Sequence, residues 1–146
     1  MIDQLRELLV RDEGMVLEVY LDHLGFSSGG CGHFLQERDP ERGWPVGTAI
    51  SQERADQWLE NDMKQCVSDA QWLQPEFDSF PVPAQITVAS LAFQLGSPKY
   101  SLFKLHHAAL QMQDWAEAAA QLRDSKLYRQ TPERTERHAQ RLESLA

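Results

Sequence analysis

Glu13, Asp22 and Ser28 follow one another as acid, eight residues, acid, five residues, hydroxyl. Groups of these types can cleave a bond whose leaving atom needs a proton and whose far side needs water. One carboxyl supplies the proton, the other carboxylate orients the water, and a hydroxyl helps to hold it. Hydrolysis of a glycosidic bond is the reaction that uses two carboxyl groups in this division of labour. Glu13 closes an amphipathic helix, whose end is negative, and so suits the proton donor. Asp22 ends a strand-like segment beside a turn, a wetter place that suits an ionised carboxylate. The same residues also read as a helix-end acid, a turn former and a polar strand residue, and spacing alone does not separate the two readings.

The elements that would position these groups are local. Leu5, Leu8 and Leu9 mark one face of a short helix, and Gly14 supplies its stop. From Leu17 to Asp22 apolar and polar residues partly alternate, with β-formers Val19 and Tyr20, and His23-Leu24-Gly25 then turns the chain into FSSGGCGHF. This predicts a hairpin. Glycines 29, 30 and 32 are not followed by Gly-Lys-Ser/Thr, which excludes a nucleotide loop. The stretch QERDPERGWPVG, rich in Pro, Gly and charge, predicts a surface connection.

Ser51 is a good N-cap, and Ala55, Trp58, Leu59, Met63, Cys66, Val67 and Ala70 recur at helical spacing, giving a long helix with one buried stripe. Pro75, Pro81 and Pro83 break the chain. Residues 84–95 are apolar almost all round and end at Gly96, so they belong at the centre of a helical core. Around them the pattern predicts a helix over 102–111, one opened by the Asp114-x-x-Glu117 capping box, and one starting at Thr131-Pro132. Trp115, Ala118, Ala119 and Leu122 give the second of these its inward face. The order predicts an α+β fold with a small N-terminal lobe holding a hairpin or short sheet over about 1–50, a connecting helix over about 51–73, and a helical lobe over about 74–146.

A chain of 146 residues, 42% of them apolar, can bury roughly two thirds of its unfolded surface. The formal charge of -8 argues against nucleic acid and against an anionic membrane surface. Cys31 and Cys66 read as reduced, buried thiols. A Cys31/His33 pair lacks two further ligands at workable spacing, and His106-His107 does not supply them, so no metal is expected. Charges at Asp3, Arg6 and Glu7 interrupt any apolar signal segment, and no apolar stretch approaches the ~18 to 20 residues of a membrane span.

The run RDEGMVLEVYLDHLGFSSGGCGHFL resembles the start of the T-even phage lysozymes, glycoside hydrolase family 24, whose pattern is Glu, eight residues, Asp, five residues, Thr. The resemblance continues through AISQERADQWLENDM, SLAFQLG and WAEAAAQLRDSKLYRQTPERTER, nearly the whole chain. It implies a lysozyme-like fold in a single catalytic domain over 1–146, with helix one packing on the helical lobe. It also implies a muramidase that cleaves between N-acetylmuramic acid and N-acetylglucosamine in peptidoglycan, with inversion and without metal or cofactor. By that resemblance Glu13 is the general acid, and Asp22 and Ser28 place the attacking water. Inversion calls for carboxyl groups ~6.5 to 9.5 Å apart.

The family's substrate contacts fall on Phe34, Phe93, Gln94, His106 and Gln121, although Phe93 would be core in any helical bundle and His106 reads equally well as an ordinary surface histidine. Arg134 matches an arginine that approaches the catalytic Glu. His33 with Asp62, and Asp12 with Arg137, match structural ion pairs. The family also implies a monomeric phage endolysin, made in the host cytoplasm without a signal peptide and acting on the periplasmic wall once the membrane is permeabilised, with no nucleic acid partner and no membrane insertion.

The chain departs from the family in several places. Ser28 lacks the methyl that fixes a threonine rotamer. The 36–49 connection is shorter than in the type member and loses a short helix at the cleft rim. Leu24 replaces a polar, sugar-facing residue. The acidic charge, where relatives are often basic, leaves a catalytically weak or inactive glycan- or protein-binding module as the rival expectation.

Overall fold

The computed structural model describes residues 1–146. They form two compact units, one of Arg6–Lys64 and one of Gln65–Ala146 together with Met1–Leu5.

Helix α1 (Ile2–Glu13) buries Leu5, Leu8 and Leu9 and ends where the Gly14 N–H bonds to the Val10 carbonyl at 2.9 Å. Strands β1 (Val16–Leu21), β2 (Ser27–Gly30) and β3 (His33–Phe34) then make an antiparallel sheet in the order β1-β2-β3. Its register pairs Tyr20 with Ser28, and Ser28 with Phe34. Directly opposed residues share a face of the sheet. Tyr20, Ser28 and Phe34 therefore form a row on one face, and alternation sends Val19 and His33 to the other.

That second face is the packed one. Val19, Leu35, Ile50, Ala55 and Trp58 form the core of this unit, with Met15 against it. Gly30, at φ +62, lets the sheet close on α2 (Gln52–Leu73): a Cβ there would lie 3.2 Å from that of Ala55. The outer edge of β1 is covered by the end of the 36–49 segment, through Val19 N–H to Thr48 O and Ile50 N–H to Leu17 O, both 2.9 Å. Covering removes an unpaired edge.

The 36–49 segment differs from the expected surface connection. It holds a 3-10 turn over Pro40–Gly43, and Asp39 and Glu41 are buried. Their burial is possible because cationic partners from β3 and α2 reach both carboxylates, as detailed below. Ser51 caps α2, its hydroxyl accepting the Arg54 N–H at 3.1 Å. Ala55, Trp58, Leu59, Met63, Cys66 and Ala70 form its buried stripe, and Cys31 and Cys66 are both buried.

The other unit is helical. Helix α3 (Val82–Leu95) is buried over most of its surface, packs on α8 (Pro132–Glu143), and ends at Gly96. It begins before residue 84 because Pro83 lies in the first turn, where a missing N–H costs nothing. Ser97-Pro98 open a separate short helix, α4 (Ser97–Tyr100), so α5 covers only Lys104–Gln111 of the stretch expected from 102. Helix α6 (Trp115–Arg123) packs between α5 and α8, and Ser125 caps an unexpected turn of helix, α7 (Lys126–Gln130). Only half of the capping box on α6 forms: Asp114 accepts the Glu117 N–H at 3.1 Å, but the Glu117 carboxylate takes the Gln121 side chain instead. No helix is long and apolar enough to cross a membrane.

Candidate active site

Asp22 builds the turn that follows β1. Its Oδ1 accepts the backbone N–H groups of Leu24 and Phe26, both at 2.9 Å, and its own N–H bonds to the Phe26 carbonyl at 2.8 Å. An Asp side chain fixes a turn by this kind of bond. Both side-chain bonds fall on Oδ1, so Oδ2 keeps its lone pairs for another donor. Ser28 is buried, and its Oγ reaches the same Phe26 carbonyl at 3.5 Å. That is far longer than a good O–H···O bond, so the hydroxyl can turn toward a ligand. The Phe26 peptide thus links the carboxylate and the hydroxyl.

Glu13 is brought to the same unit by the end of α1. Its carboxylate rests against Gly32, in the turn between β2 and β3, where a Cβ would lie 3.0 Å from Oε2 and 3.3 Å from Cδ. Gly32 has φ +64 as well, a conformation other residues adopt at a cost of about 1–2 kcal/mol. Gly32→Ala is expected to cost roughly that much stability. Any reaction that uses the Glu13 carboxyl is expected to suffer more, by on the order of 10²-fold, because the added methyl displaces the carboxylate. Thermal unfolding and reducing-end release measured on the same preparation check this, and unchanged turnover would contradict it.

Tyr20 was not singled out by its sequence, yet its cross-strand partner is Ser28. Its phenol is held above the usual range, first by burial and then by the nearby acidic groups Glu13, Cys31 and Asp22, any of which, when ionised, disfavours a phenolate. A neutral O–H donor thus stands in the field of both acids. Strand alternation was the available signal, since Tyr20 precedes Asp22 by two residues and shares its face. Phe34 ends the row, half-exposed, its ring edge-to-face with Phe26 at 5.5 Å. With Leu24 and Phe26 exposed beside it, this rim is apolar.

On the sheet's other face, His33 is buried, with Nδ1 2.7 Å from Asp62 Oδ2 and Nε2 2.9 Å from Asp39 Oδ2. Asp12 sits on α1 with its side chain almost wholly buried, 3.7 Å from the Arg11 guanidinium.

In the helical unit, Phe93 and Gln94 are half-buried near the end of α3, and Gln94 Oε1 is buried with no hydrogen-bond partner in the protein. His106 is no surface histidine. It is 1% exposed, with Nε2 2.8 Å from the Tyr100 hydroxyl and Nδ1 2.9 Å from the Ala118 carbonyl. Loss of solvent pushes its pKa down to about 3. The neutral ring therefore donates from Nδ1 and accepts at Nε2, leaving only its edge for a ligand. That edge and Gln121 line a pocket of about 390 Å³ whose wall also includes Phe103, Lys104 and Ser125. Arg134 and Arg137 lie on α8, half-buried and exposed respectively. No group of three or more His, Cys, Asp or Glu side chains is arranged to hold a metal ion.

A short antiparallel sheet with a hydroxyl on its second strand, a carboxylate in the turn before that strand and another at the end of the preceding helix, in a chain that is otherwise helical, is the arrangement of the lysozyme-like α+β class. Residues 10–137 match the phage lysozyme family, and the chain belongs to it. It is 26% identical over 156 aligned residues to probable T4-type lysozyme 2 of Dictyostelium discoideum, with 94% of this chain and 92% of that protein covered. It is 28% identical to peptidoglycan hydrolase gp36 of Pseudomonas phage phiKMV, over 94% of this chain but only 15% of that much longer protein. It is 29% identical to the pre-baseplate central spike protein Gp5 of Enterobacteria phage T4, over 90% of this chain and 26% of that protein.

Proposed function

We propose that the protein is a muramidase, cleaving the β-1,4 bond between N-acetylmuramic acid and N-acetylglucosamine with inversion, and that it serves as a monomeric phage endolysin on the periplasmic wall. The observation that carries the reading is the gathering of Glu13, Asp22 and Ser28 in one unit, with Glu13 against the Gly32 turn and the other two joined through the Phe26 peptide. Glu13 gives its proton to the glycosidic oxygen as the bond to the anomeric carbon breaks. Asp22 Oδ2 takes a proton from water as the water oxygen bonds to the opposite face of that carbon. Ser28 Oγ orients the water, and Asp22 offsets the positive charge of the oxocarbenium-like transition state. The Phe34 ring, with Phe26 at its edge, offers an apolar surface to a sugar face. Within the helical unit, the buried acceptor on Gln94 suits an acetamido N–H, and Gln121 suits a polar group of a sugar. Phe93 and the edge of His106 contribute apolar contact only.

Proton NMR of the freshly released sugar tests this. The new reducing end is expected to be N-acetylmuramic acid and to appear first as the α-anomer. A β-anomer would exclude inversion, and N-acetylglucosamine reducing ends would exclude a muramidase.

The acidic charge supports a second reading, a glycan-binding module with weak turnover. An anionic protein approaches an anionic wall slowly. Glycan binding without turnover would favour it.

A further inference from the structure

We propose that Asp39 is a positioning residue of this site: together with Asp62 it holds His33 as an imidazolium, and this charged clamp fixes the β2–β3 turn on which the Glu13 carboxylate rests. The inference depends on the reading of Glu13 as proton donor for its catalytic part only.

Carboxylates accept hydrogen bonds and do not donate them, and a neutral imidazole has a single N–H. His33 faces a carboxylate oxygen at both nitrogens, Asp62 at 2.7 Å and Asp39 at 2.9 Å, so only the imidazolium satisfies the pair. The ring is stacked on Trp58 at 4.7 Å and 13°, which fixes its plane. Asp39 is itself held. Its Oδ2 also accepts the Gln36 N–H at 2.9 Å, and its Oδ1 lies 3.6 Å from the Arg54 guanidinium. Arg54 in turn lies over the Trp58 ring at 4.9 Å and binds Glu41 at 2.9 Å.

The charged groups around His33 are therefore Asp62 from α2 and Asp39 from the 36–43 turn, with Arg54 and Glu41 one step further out and largely offsetting each other. Burial works against charge on the ring. Asp62 and then Asp39 outweigh it and raise the His33 pKa above its usual value.

The link to the chemistry is short. His33 follows Gly32, whose Cα backs the Glu13 carboxylate, and it pairs with Gly29, the neighbour of Ser28. A β3 that loosens would move both the proton donor's support and the water-binding hydroxyl.

Nitrogen-15 NMR of the histidine rings tests the clamp without substrate. At pH 7 both His33 nitrogens are expected to be protonated, and Asp39→Asn is expected to weaken the proton affinity of His33 roughly tenfold. Asp39→Glu, which keeps the negative charge that Asn lacks, is expected to recover much of it. With peptidoglycan, the alkaline limb of kcat in Asp39→Asn is expected to move to lower pH with KM unchanged. A neutral His33 in the wild-type protein at pH 7 overturns the proposal even if Asp39→Asn does not fold. So does an Asp39→Asn protein in which His33 titrates as before. A shifted titration with an unchanged kcat profile overturns the positioning role while leaving the clamp. Absence of any wild-type hydrolysis would instead remove the muramidase reading, with the NMR result still deciding the clamp.

Discussion

Glu13→Gln is expected to release reducing ends from purified peptidoglycan about 10² to 10⁴ times more slowly than the wild-type protein, with little change in thermal stability. The amide has the size and shape of the carboxyl group it replaces, so it fits the same space against Gly32. It cannot give up a proton to a sugar oxygen. Asp22 does not substitute in the proposed mechanism, because its Oδ2 serves as the base toward water on the opposite face of the sugar while its Oδ1 holds the Leu24 and Phe26 N–H groups. Equal rates for the two proteins would sink the muramidase mechanism. Glycan binding that survives in both, with no turnover in either, would support the binding module that the charge of -8 suggests.

Much of this site was legible because it is local. Glu13 to Phe34 is one continuous stretch, and a helix stop, a turn-forming Asp and short strands fix where its groups go. Helix limits were readable where a cap or glycine marks them, as at Ser51, Asp114 and Gly96. They were misjudged where proline lies inside a first turn, as at Pro83 and Pro98.

The buried polar groups were not legible, for a common reason. Residues 36–47 have the composition of a solvated loop, and nothing nearby in sequence announces that His33 and Arg54 will neutralise Asp39 and Glu41. His106 sits between exposed Leu105 and half-buried His107, and only Tyr100 and Ala118, from neighbouring helices, make it a core residue. Local pattern sets elements. Burial of a polar side chain depends on partners that the fold supplies from a distance.

Those buried histidines predict acid lability. His106 is held neutral by burial, with a pKa near 3. His138, fully buried on α8, is held well below its usual value by burial first, then by the cations Arg141, Arg134 and Arg137, and by His106. His107 is shifted the same way, mainly by burial, and its ring bonds Gln74 and the Tyr100 carbonyl. In the unfolded chain each has a pKa of about 6.5, so below that pH the unfolded state binds protons that the folded state refuses. Their contribution is full above pH 6.5 and is lost as pH falls toward the folded values. From pH 7.5 to pH 5, His106 is expected to remove about 2 kcal/mol, an appreciable part of the 5–15 kcal/mol that a protein commonly has, and His138 and His107 act in the same direction. His33 has the opposite sign: its raised pKa stabilises below pH 6.5, and that contribution is lost as pH rises through the folded value. Urea unfolding at the two pH values measures the balance, and fluorescence of variants that keep only Trp115 in the helical unit or only Trp58 in the sheet unit separates the two responses. His106→Gln is expected to reduce the loss seen at Trp115. Equal stability of the helical unit at pH 7.5 and pH 5 would show that these rings gain protons without unfolding, and that their neutral hydrogen bonds do not hold α5, α6 and α8 together.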